Sequence, residues 1–174
     1  MSKSPGAGAD KESPRRRRAA PEPSPAQRAL GLLVRREHSR KELTRKLQLR
    51  GVEPEEATAA AERMAEAGWQ DDARFAGFLV RNRAAQGHGP VRIRAELATH
   101  GLDEAIVQAA MESHEGDWQE SANTLVARRF GPALRNDRAL QRKAGEFLLR
   151  RGFTMEQMRH ATNGDAFDDL ESFD

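Results

Sequence analysis

The sequence predicts an all-α protein: an elongated, curved array of three tandem three-helix repeats between a disordered N-terminal tail and an acidic C-terminal tail. Apolar residues recur with helical spacing, and no segment alternates as a strand does. A glycine recurs after a polar helix end in each repeat. The dipeptide Leu-Val recurs at residues 33, 79 and 125, at two equal intervals of 46 residues. Periods of this size are typical of stacked helical repeats.

The composition excludes several classes of protein. The 174 residues include 29 Lys and Arg, 27 Asp and Glu and no cysteine, with a mean hydropathy of -0.81. Without cysteine there are no disulfides, thiolate metal sites or cysteine nucleophiles. No run of about 18 apolar residues is present, so no membrane span is predicted. The N-terminal residues lack the apolar stretch of a secretory signal, and we expect a cytoplasmic protein that is a monomer.

The two ends of the chain carry opposite charge. Residues 1–25 contain five prolines and four successive arginines but little apolar surface, so we expect this segment to be disordered. Two interpretations stay open for Arg15 to Arg18, a phosphate contact and a solubilising tail. Residues 163–174 carry five acidic and no basic residues, and we expect them to fray, with docking on a basic groove as the alternative. This asymmetry favours a polyanion or an acidic protein as partner.

Repeat 1 covers residues 26–70. Its second helix should begin with a Ser-x-x-Glu capping box at Ser39 and end at Gly51, because glycine adopts the left-handed cap conformation at little cost. Its third helix should begin at Pro54. Its expected core residues are Leu30, Leu33, Val34, Leu43, Leu47, Ala57, Ala60, Ala61 and Met64.

Repeat 2 covers residues 71–116. Pro90 fits the first position of its second helix, which should end at Gly101, and the third helix should begin after Asp103. Trp69 and Trp118 flank this repeat, and we expect both to pack against neighbouring repeats. The expected core residues are Phe75, Phe78, Leu79, Ile93, Leu97, Ile106, Ala109 and Ala110.

Repeat 3 covers residues 117–162. Asn136 or Asp137 should cap its second helix, which should end at Gly152. The third helix should begin after Thr154, with Gln157 completing another capping box. The expected core residues are Ala122, Leu125, Val126, Leu140, Ala144, Phe147, Leu148, Met155 and Met158.

No arrangement of residues in the sequence indicates catalysis. No two of the five histidines are three or four residues apart, so a helical zinc pair is not expected. The segment Gly87–Pro90 lacks the Lys-Ser/Thr of a phosphate-binding loop and is interpreted as a turn. We therefore expect no enzyme activity, no cofactor and no metal. The histidines are expected at the surface: His38, His88, His100, His114 and His160.

Basic residues recur at matching positions of the repeats and are the remaining candidate site. Stacked repeats would place them in register, as a positive band that binds phosphates or an acidic partner without reading sequence. The alternative is a set of solvated helix faces that pair with glutamates. The candidate contact residues are Arg35, Arg36, Lys46, Arg50, Arg74, Arg81, Arg83, Arg92, Arg94, Arg128, Arg129, Arg142, Lys143, Arg150 and Arg151.

Several separated motifs resemble the RecX family over residues 26–160. The central signature is carried by Asp71-Asp72-Ala73-Arg74-Phe75-Ala76, Arg81-Asn82-Arg83, Gly87-His88-Gly89-Pro90 and Arg92-Ile93-Arg94. Ser39-Arg40-Lys41-Glu42-Leu43 with Arg50-Gly51 resembles the first repeat of the family, and Phe147-Leu148-Leu149-Arg150-Arg151-Gly152-Phe153 resembles the third. The chain departs from the pattern at His100, where a lysine is usual, and in both tails.

The resemblance implies a non-enzymatic regulator that binds the RecA recombinase filament on single-stranded DNA. Such a regulator lies in the filament groove or blocks filament extension. It thereby suppresses ATP hydrolysis, strand exchange and co-protease activity in DNA repair, homologous recombination and the SOS response. The family also binds DNA, double-stranded DNA more weakly. The residues leave a second hypothesis open, a general electrostatic DNA-binding protein without a specific protein partner.

Overall fold

The computed structural model describes residues 22–162, apart from the side chain of Arg135, and the regular secondary structure of this part of the chain is entirely helical. Residues 1–21 of the predicted N-terminal tail and the whole predicted C-terminal tail, residues 163–174, lie outside it. The all-α prediction of three tandem three-helix repeats is confirmed. Among the described residues no helix has the length and apolar character needed to cross a membrane. The elements are α1 Pro25–Leu33, α2 Arg40–Gln48, α3 Pro54–Glu66, α4 Asp72–Ala85, α5 Pro90–Thr99, α6 Glu104–Glu112, α7 Trp118–Phe130, a 3-10 helix Pro132–Asn136, α8 Arg138–Arg151 and α9 Met155–Thr162.

Local capping chemistry sets most helix starts. The Ser39 hydroxyl accepts a hydrogen bond from the Glu42 amide at 3.1 Å, although the Glu42 carboxylate bonds to basic side chains instead of completing the box. Thr154 and Gln157 form the full predicted box, at 3.1 and 2.9 Å. Helix α1 begins at Pro25, the last residue of the segment expected to be a tail, after a capping box at Ser24.

Each repeat has a separate apolar core, formed by its own three helices. In repeat 1 the prediction for Val34 is wrong: its side chain is 75% exposed, because α1 ends at Leu33 and Val34 lies in the cap. The core predictions for Ala109 and Met155 are also wrong, because Ala109 lies on the exposed face of α6 and Met155 is the exposed first residue of α9.

The burial pattern aligns the repeats differently from the Leu-Val dipeptide. In repeat 1 the residues equivalent to Leu79-Val80 are Leu32-Leu33, not Leu33-Val34, and the shared pattern is Ala-x-x-Leu-Leu/Val. The equivalent residues are Ala29/Leu32/Leu33, Ala76/Leu79/Val80 and Ala122/Leu125/Val126.

The two tryptophans differ in their environments. Trp118, the first residue of α7, packs against the core of repeat 2, and its ring centroid lies 4.0 Å from that of His114. The inter-repeat packing expected of Trp118 is therefore confirmed. Trp69 is 56% exposed, and the same prediction is wrong for it. It lies in the turn after Gly68 that ends α3, where its carbonyl accepts a hydrogen bond from Arg74.

The repeats meet where the second helices abut end to end, so α8, α5 and α2 follow one another in a row. In the first joint, the turn before α2 contacts the end of α5: Lys41 Nζ donates to the Thr99 carbonyl at 2.8 Å. In the second joint, the turn before α5 contacts the end of α8: the Val91 amide donates to the Gly152 carbonyl at 3.0 Å. Each joint therefore brings the positive N-terminus of one helix to the negative C-terminus of another.

Candidate partner-binding surface

Positive charge is concentrated on the second helices. Helices α2, α5 and α8 together contain eleven basic and three acidic residues, whereas the third helices α3, α6 and α9 contain two basic and seven acidic residues. Because the second helices abut end to end, the fold collects this charge along one row. We call α2, α5 and α8 the second-helix column.

The structure places the predicted contact residues in two groups. Eight lie on the second-helix column or at the end of α2, and seven lie on the first helices or in the turn after α1. Their role in binding a partner stays a prediction. The column group is Lys46, Arg50, Arg92, Arg94, Arg142, Lys143, Arg150 and Arg151, and the other group is Arg35, Arg36, Arg74, Arg81, Arg83, Arg128 and Arg129.

Each repeat has an arginine at the same position, at or just after the end of its first helix, that contacts the second helix of that repeat. These residues are Arg36, Arg83 and Arg129. Arg83 binds the Glu96 carboxylate through two nitrogens, at 2.8 and 2.6 Å, and these hydrogen bonds lower the pKa of Glu96 although burial acts in the opposite direction. The guanidinium of Arg129 lies 4.8 Å from the ring centroid of Phe147, which replaces Glu96 in repeat 3.

In repeat 1 the equivalent position of the second helix is a lysine, so the tie takes another form. Arg36 and Lys46 both bind Glu42, Lys46 at 3.2 Å. Burial alone would raise the pKa of Glu42, but these hydrogen bonds, together with the nearby His38, lower it. Arg36, Arg83 and Arg129 thus hold their own repeats together.

Several other predicted contact residues have partners inside the protein. Arg92 Nη1 donates to the Arg150 carbonyl at 3.3 Å across the second joint. Arg151 Nη1 donates to the Gln86 carbonyl at 2.8 Å across the same joint. Arg94 pairs with Glu104, and Arg74 pairs with Glu37, both at 2.5 Å.

Arg150 is exposed and pairs with Glu146 on its own helix at 3.5 Å. The other six predicted contact residues are exposed, and within residues 22–162 they make no ion pair. Their charges are therefore available to a partner. Three further exposed arginines of the column, Arg40, Arg45 and Arg138, share this property and were not among the predicted contact residues, although their place in predicted second helices was a usable signal. The unpaired predicted residues are Arg35, Arg50, Arg81, Arg128, Arg142 and Lys143.

The prediction that the histidines lie at the surface is wrong for His38. Its side chain is 1% exposed, because the turn before α2 folds into the first joint. Its Nδ1 lies 2.9 Å from the Arg36 carbonyl, and its Nε2 lies 3.1 Å from Lys46 Nζ. His100 is half-buried in the same joint, with Nδ1 2.8 Å from the Ser39 hydroxyl. No spacing rule in the sequence indicated either contact.

The glycine-rich turn before α5 forms part of the second joint. The Gly89 amide donates to the Arg151 carbonyl at 2.9 Å, so this group is not available to a phosphate. A Cβ added to Gly89 would lie 2.3 Å from the Gly152 carbonyl oxygen. Glycine is therefore needed here for the close approach of two backbones.

A groove of about 840 Å³ runs beside the first joint. Its lining contains both basic and acidic side chains, so it offers no field of a single sign to a charged ligand. Among the described residues no three His, Asp or Glu side chains are arranged to hold a metal ion. The charged residues that line the groove are Arg40, Lys41, Arg45, Asp71, Asp72 and Asp103.

Comparison with known proteins agrees with this architecture. The family models for the first, second and third three-helix domains of RecX match residues 27–64, 71–111 and 115–162. The regulatory protein RecX of Stenotrophomonas maltophilia strain K279a is 60% identical over 153 residues, which cover 88% of this chain and 94% of that protein. The regulatory protein RecX of Xanthomonas campestris pv. campestris strain B100 is 59% identical over 156 residues, which cover 90% and 96%.

The fold is also similar to that of solved structures. The crystal structure of RecX from Lactobacillus salivarius has a TM-score of 0.65 at 23% identity, covering 80% of this chain and 92% of that one. A second crystal structure, of regulatory protein RecX, has a TM-score of 0.67 at 20% identity, covering 80% and 70%. At 23% and 20% sequence identity, these two comparisons show a similar fold and nothing more.

Proposed function

The chain belongs to the RecX family of regulatory proteins, and from this premise we propose that it regulates the RecA recombinase in the cytoplasm without catalysing a reaction. In this proposal one chain binds the RecA filament on single-stranded DNA. It suppresses the filament's ATP hydrolysis, strand exchange and co-protease activity, and so acts in DNA repair and the SOS response. In this proposal the tandem repeats contact neighbouring protomers of the filament at once, which strengthens binding without any new kind of contact.

The concentration of unpaired positive charge on the second-helix column carries this proposal. Arg45, Arg138, Arg142 and Lys143 are exposed and unpaired within the described part of the chain. A row of such side chains complements the phosphates of DNA and acidic side chains of a protein groove. Arginines that are bound within the protein, such as Arg83 and Arg92, support the fold that presents these side chains and are not free to bind a partner.

Two physical routes would produce inhibition. If the chain binds an inactive arrangement of the filament more tightly than the active one, it shifts the population by that difference in affinity. If it occupies the end where protomers add, growth stops while dissociation continues. In both routes, binding of the chain is sufficient for inhibition, and the chain need not catalyse a reaction.

A charge reversal at an unpaired residue of the column tests the contact surface. We expect Arg142→Glu to raise the concentration that half-inhibits the DNA-dependent ATP hydrolysis of RecA roughly tenfold, a change of roughly 1.4 kcal/mol in binding. The matched control is Arg63→Glu on α3, where the arginine is also exposed but lies off the column. Equal loss in both variants, or no loss in Arg142→Glu, would contradict the assignment of this surface.

Arg92 and Arg94 are unsuitable probes of the surface. Both are bound within the protein, Arg92 across the second joint and Arg94 to Glu104 and Gln108. Their reversal would alter the fold together with any contact.

The second candidate function is general DNA binding, which the same unpaired charges favour. Titration onto preformed RecA filaments, with free single-stranded DNA as competitor, separates the two. A filament regulator inhibits ATP hydrolysis at far below one molecule per RecA protomer, and this inhibition persists when the competitor DNA is added. A general DNA-binding protein inhibits only at amounts that coat the DNA, loses its effect to the competitor, and binds with an affinity that falls steeply with salt.

A further inference from the structure

Repeat 3 differs from the other two repeats in the side chains that meet the arginine at the end of its first helix. We propose that Arg129 and Phe147, with Lys143 and Arg151 beside them, form a site on which a base of single-stranded DNA stacks. The inference rests on the DNA binding in the proposed function. It adds a contact with bases to the contacts that the second-helix column makes with phosphates.

Each second helix has two residues four positions apart on one face, and at least one of them contacts the arginine of its repeat. In repeats 1 and 2 one member of the pair is a glutamate, and this glutamate binds the arginine. In repeat 3 neither member is acidic. The pairs are Glu42 and Lys46 in repeat 1, Arg92 and Glu96 in repeat 2, and Lys143 and Phe147 in repeat 3.

Arg129 therefore packs on aromatic rings instead of binding a carboxylate. Its guanidinium lies 4.8 Å from the ring centroid of Phe147 and 5.8 Å from that of Phe130. The two rings meet edge to face, with their centroids 5.9 Å apart. The Arg129 side chain is exposed and makes no hydrogen bond within residues 22–162. Its charge and its N–H donors are available to a ligand, whereas those of Arg36 and Arg83 are used by glutamates.

Two more cations lie on the same face of α8 as Phe147. Lys143 precedes Phe147 by four residues and Arg151 follows it by four, so the three side chains follow one another along the helix. The Arg151 guanidinium lies 5.2 Å from the Phe147 ring centroid and is held there by a hydrogen bond across the second joint. Lys143 is exposed and has no ion pair in the described part of the chain. Glu146, the acidic residue of α8, pairs with Arg150.

This combination of flat groups and positive charge matches an unstacked base and its phosphate. A guanidinium stacks on aromatic faces, and a base can add to such a stack through its own π face. The cations on either side of the ring supply charge for the adjoining phosphate. Bases in a duplex are already stacked and paired, so the site favours single-stranded DNA. Every base has a π face, so the site does not read sequence.

Two single-stranded oligonucleotides separate contacts with bases from contacts with phosphates. One is oligothymidylate of about 16 nucleotides, and the other is an abasic chain with the same number of phosphates. Fluorescence anisotropy of an end label measures the affinity of the full chain for each. We expect the wild-type chain to bind oligothymidylate roughly tenfold more tightly than the abasic chain. Both affinities should fall with the same slope as salt rises, because the two oligonucleotides carry the same charge.

Three variants assign this preference to the site. Arg129→Lys keeps the positive charge but removes the planar guanidinium, and Phe147→Leu keeps an apolar side chain but removes the ring. We expect each to reduce the preference for bases to about twofold or less and to leave the affinity for the abasic chain within about twofold. Arg128→Lys, at the neighbouring exposed arginine of α7, is the matched control and should keep the full preference. Arg129→Lys changes an exposed residue, so it decides if Phe147→Leu loses its helical circular dichroism.

Equal affinities of the wild-type chain for the two oligonucleotides would overturn the inference. An undiminished preference in Arg129→Lys, or an equal loss in Arg128→Lys, would do the same. Inhibition of RecA ATP hydrolysis, measured with the same preparations, separates this inference from the proposed function. Inhibition without a preference for bases overturns this site alone. Absence of inhibition contradicts the proposed function, and a preference for bases that is lost in Arg129→Lys still supports the site.

Discussion

The two joints have the same position in the repeat plan but different chemistry. In the first joint, side chains from one repeat reach the other: Lys41 to Thr99, Ser39 to His100. In the second, two backbones touch, and the amides of Gly89 and Val91 donate directly to carbonyls at the end of α8. Equal placement of repeats therefore does not require equal chemistry, and the two joints should respond differently to substitution and salt.

The residue that caps the second helix decides between the two forms. Ser39 has a hydroxyl that caps α2 and can also reach a neighbour, so a gap between backbones is filled by side chains. Gly89 has no side chain to contribute, and the space that its Cβ would occupy is taken by the Gly152 carbonyl. Direct contact of backbones is rigid because it leaves no rotamers to rearrange.

The largest expected difference between the joints comes from the glycines that end α5 and α8. Both adopt positive φ, 67° at Gly101 and 86° at Gly152, so alanine costs about 1 kcal/mol of strain at either position. At Gly152 the new Cβ would also lie 2.3 Å from the Cβ of Arg92, whereas at Gly101 the nearest atom is Lys41 Cδ at 3.5 Å. We expect Gly152→Ala to lower the free energy of unfolding by about 3 kcal/mol and Gly101→Ala by about 1 kcal/mol.

Urea denaturation followed by circular dichroism measures both values. Gly101→Ala serves as the control for backbone strain. Equal losses of stability would show that the close approach at the second joint does not constrain the chain.

A smaller effect is expected from the serine that serves two roles in the first joint. Ser39→Ala removes a helix cap and the bond to His100, and we expect a loss of about 2 kcal/mol in the free energy of unfolding. Ser24→Ala removes a cap that has no contact with another repeat, and about 1 kcal/mol is expected. Thermal unfolding at about pH 7.5 compares them. If the two losses coincide, the Ser39–His100 contact adds nothing to the joint.

The smallest effect is expected from the ion pair between Arg74 and Glu37, which crosses the first joint at 2.5 Å. Both side chains are partly exposed, so water and salt screen the pair. We expect Glu37→Gln to lower the free energy of unfolding by about 0.5 kcal/mol at low salt and by less at about 1 M salt. A loss that salt does not reduce would mean that the pair acts through packing.

Much of the fold followed from local patterns in the sequence, and the candidate surface only in part. The cap at Ser39, the box at Thr154 and the packing of Trp118 were predicted, and each depends on neighbours in sequence or on one apolar side chain beside a boundary. The same patterns failed at Val34 and Met155, where a helix end decides exposure, and at Ala109, which lies on the exposed face of its helix. These patterns also do not distinguish a basic residue without an ion pair, such as Arg142, from one bound within the protein, such as Arg83. In the sequence both are simply basic residues in a predicted helix.

The sequence by itself determined the helices, their apolar faces, the repeats and the excess of positive charge, because helix formation depends on interactions within about four residues and the rest follows from spacing and composition. The separate core of each repeat needed the tertiary structure, because it joins three helices that are far apart in the sequence. Only the tertiary structure decided which charges are free and how the repeats are joined. Arg92 meets the Arg150 carbonyl 58 residues away, and Ser39 meets His100 61 residues away. Such contacts arise when separately folded repeats abut, and the same abutment buries His38 in the joint.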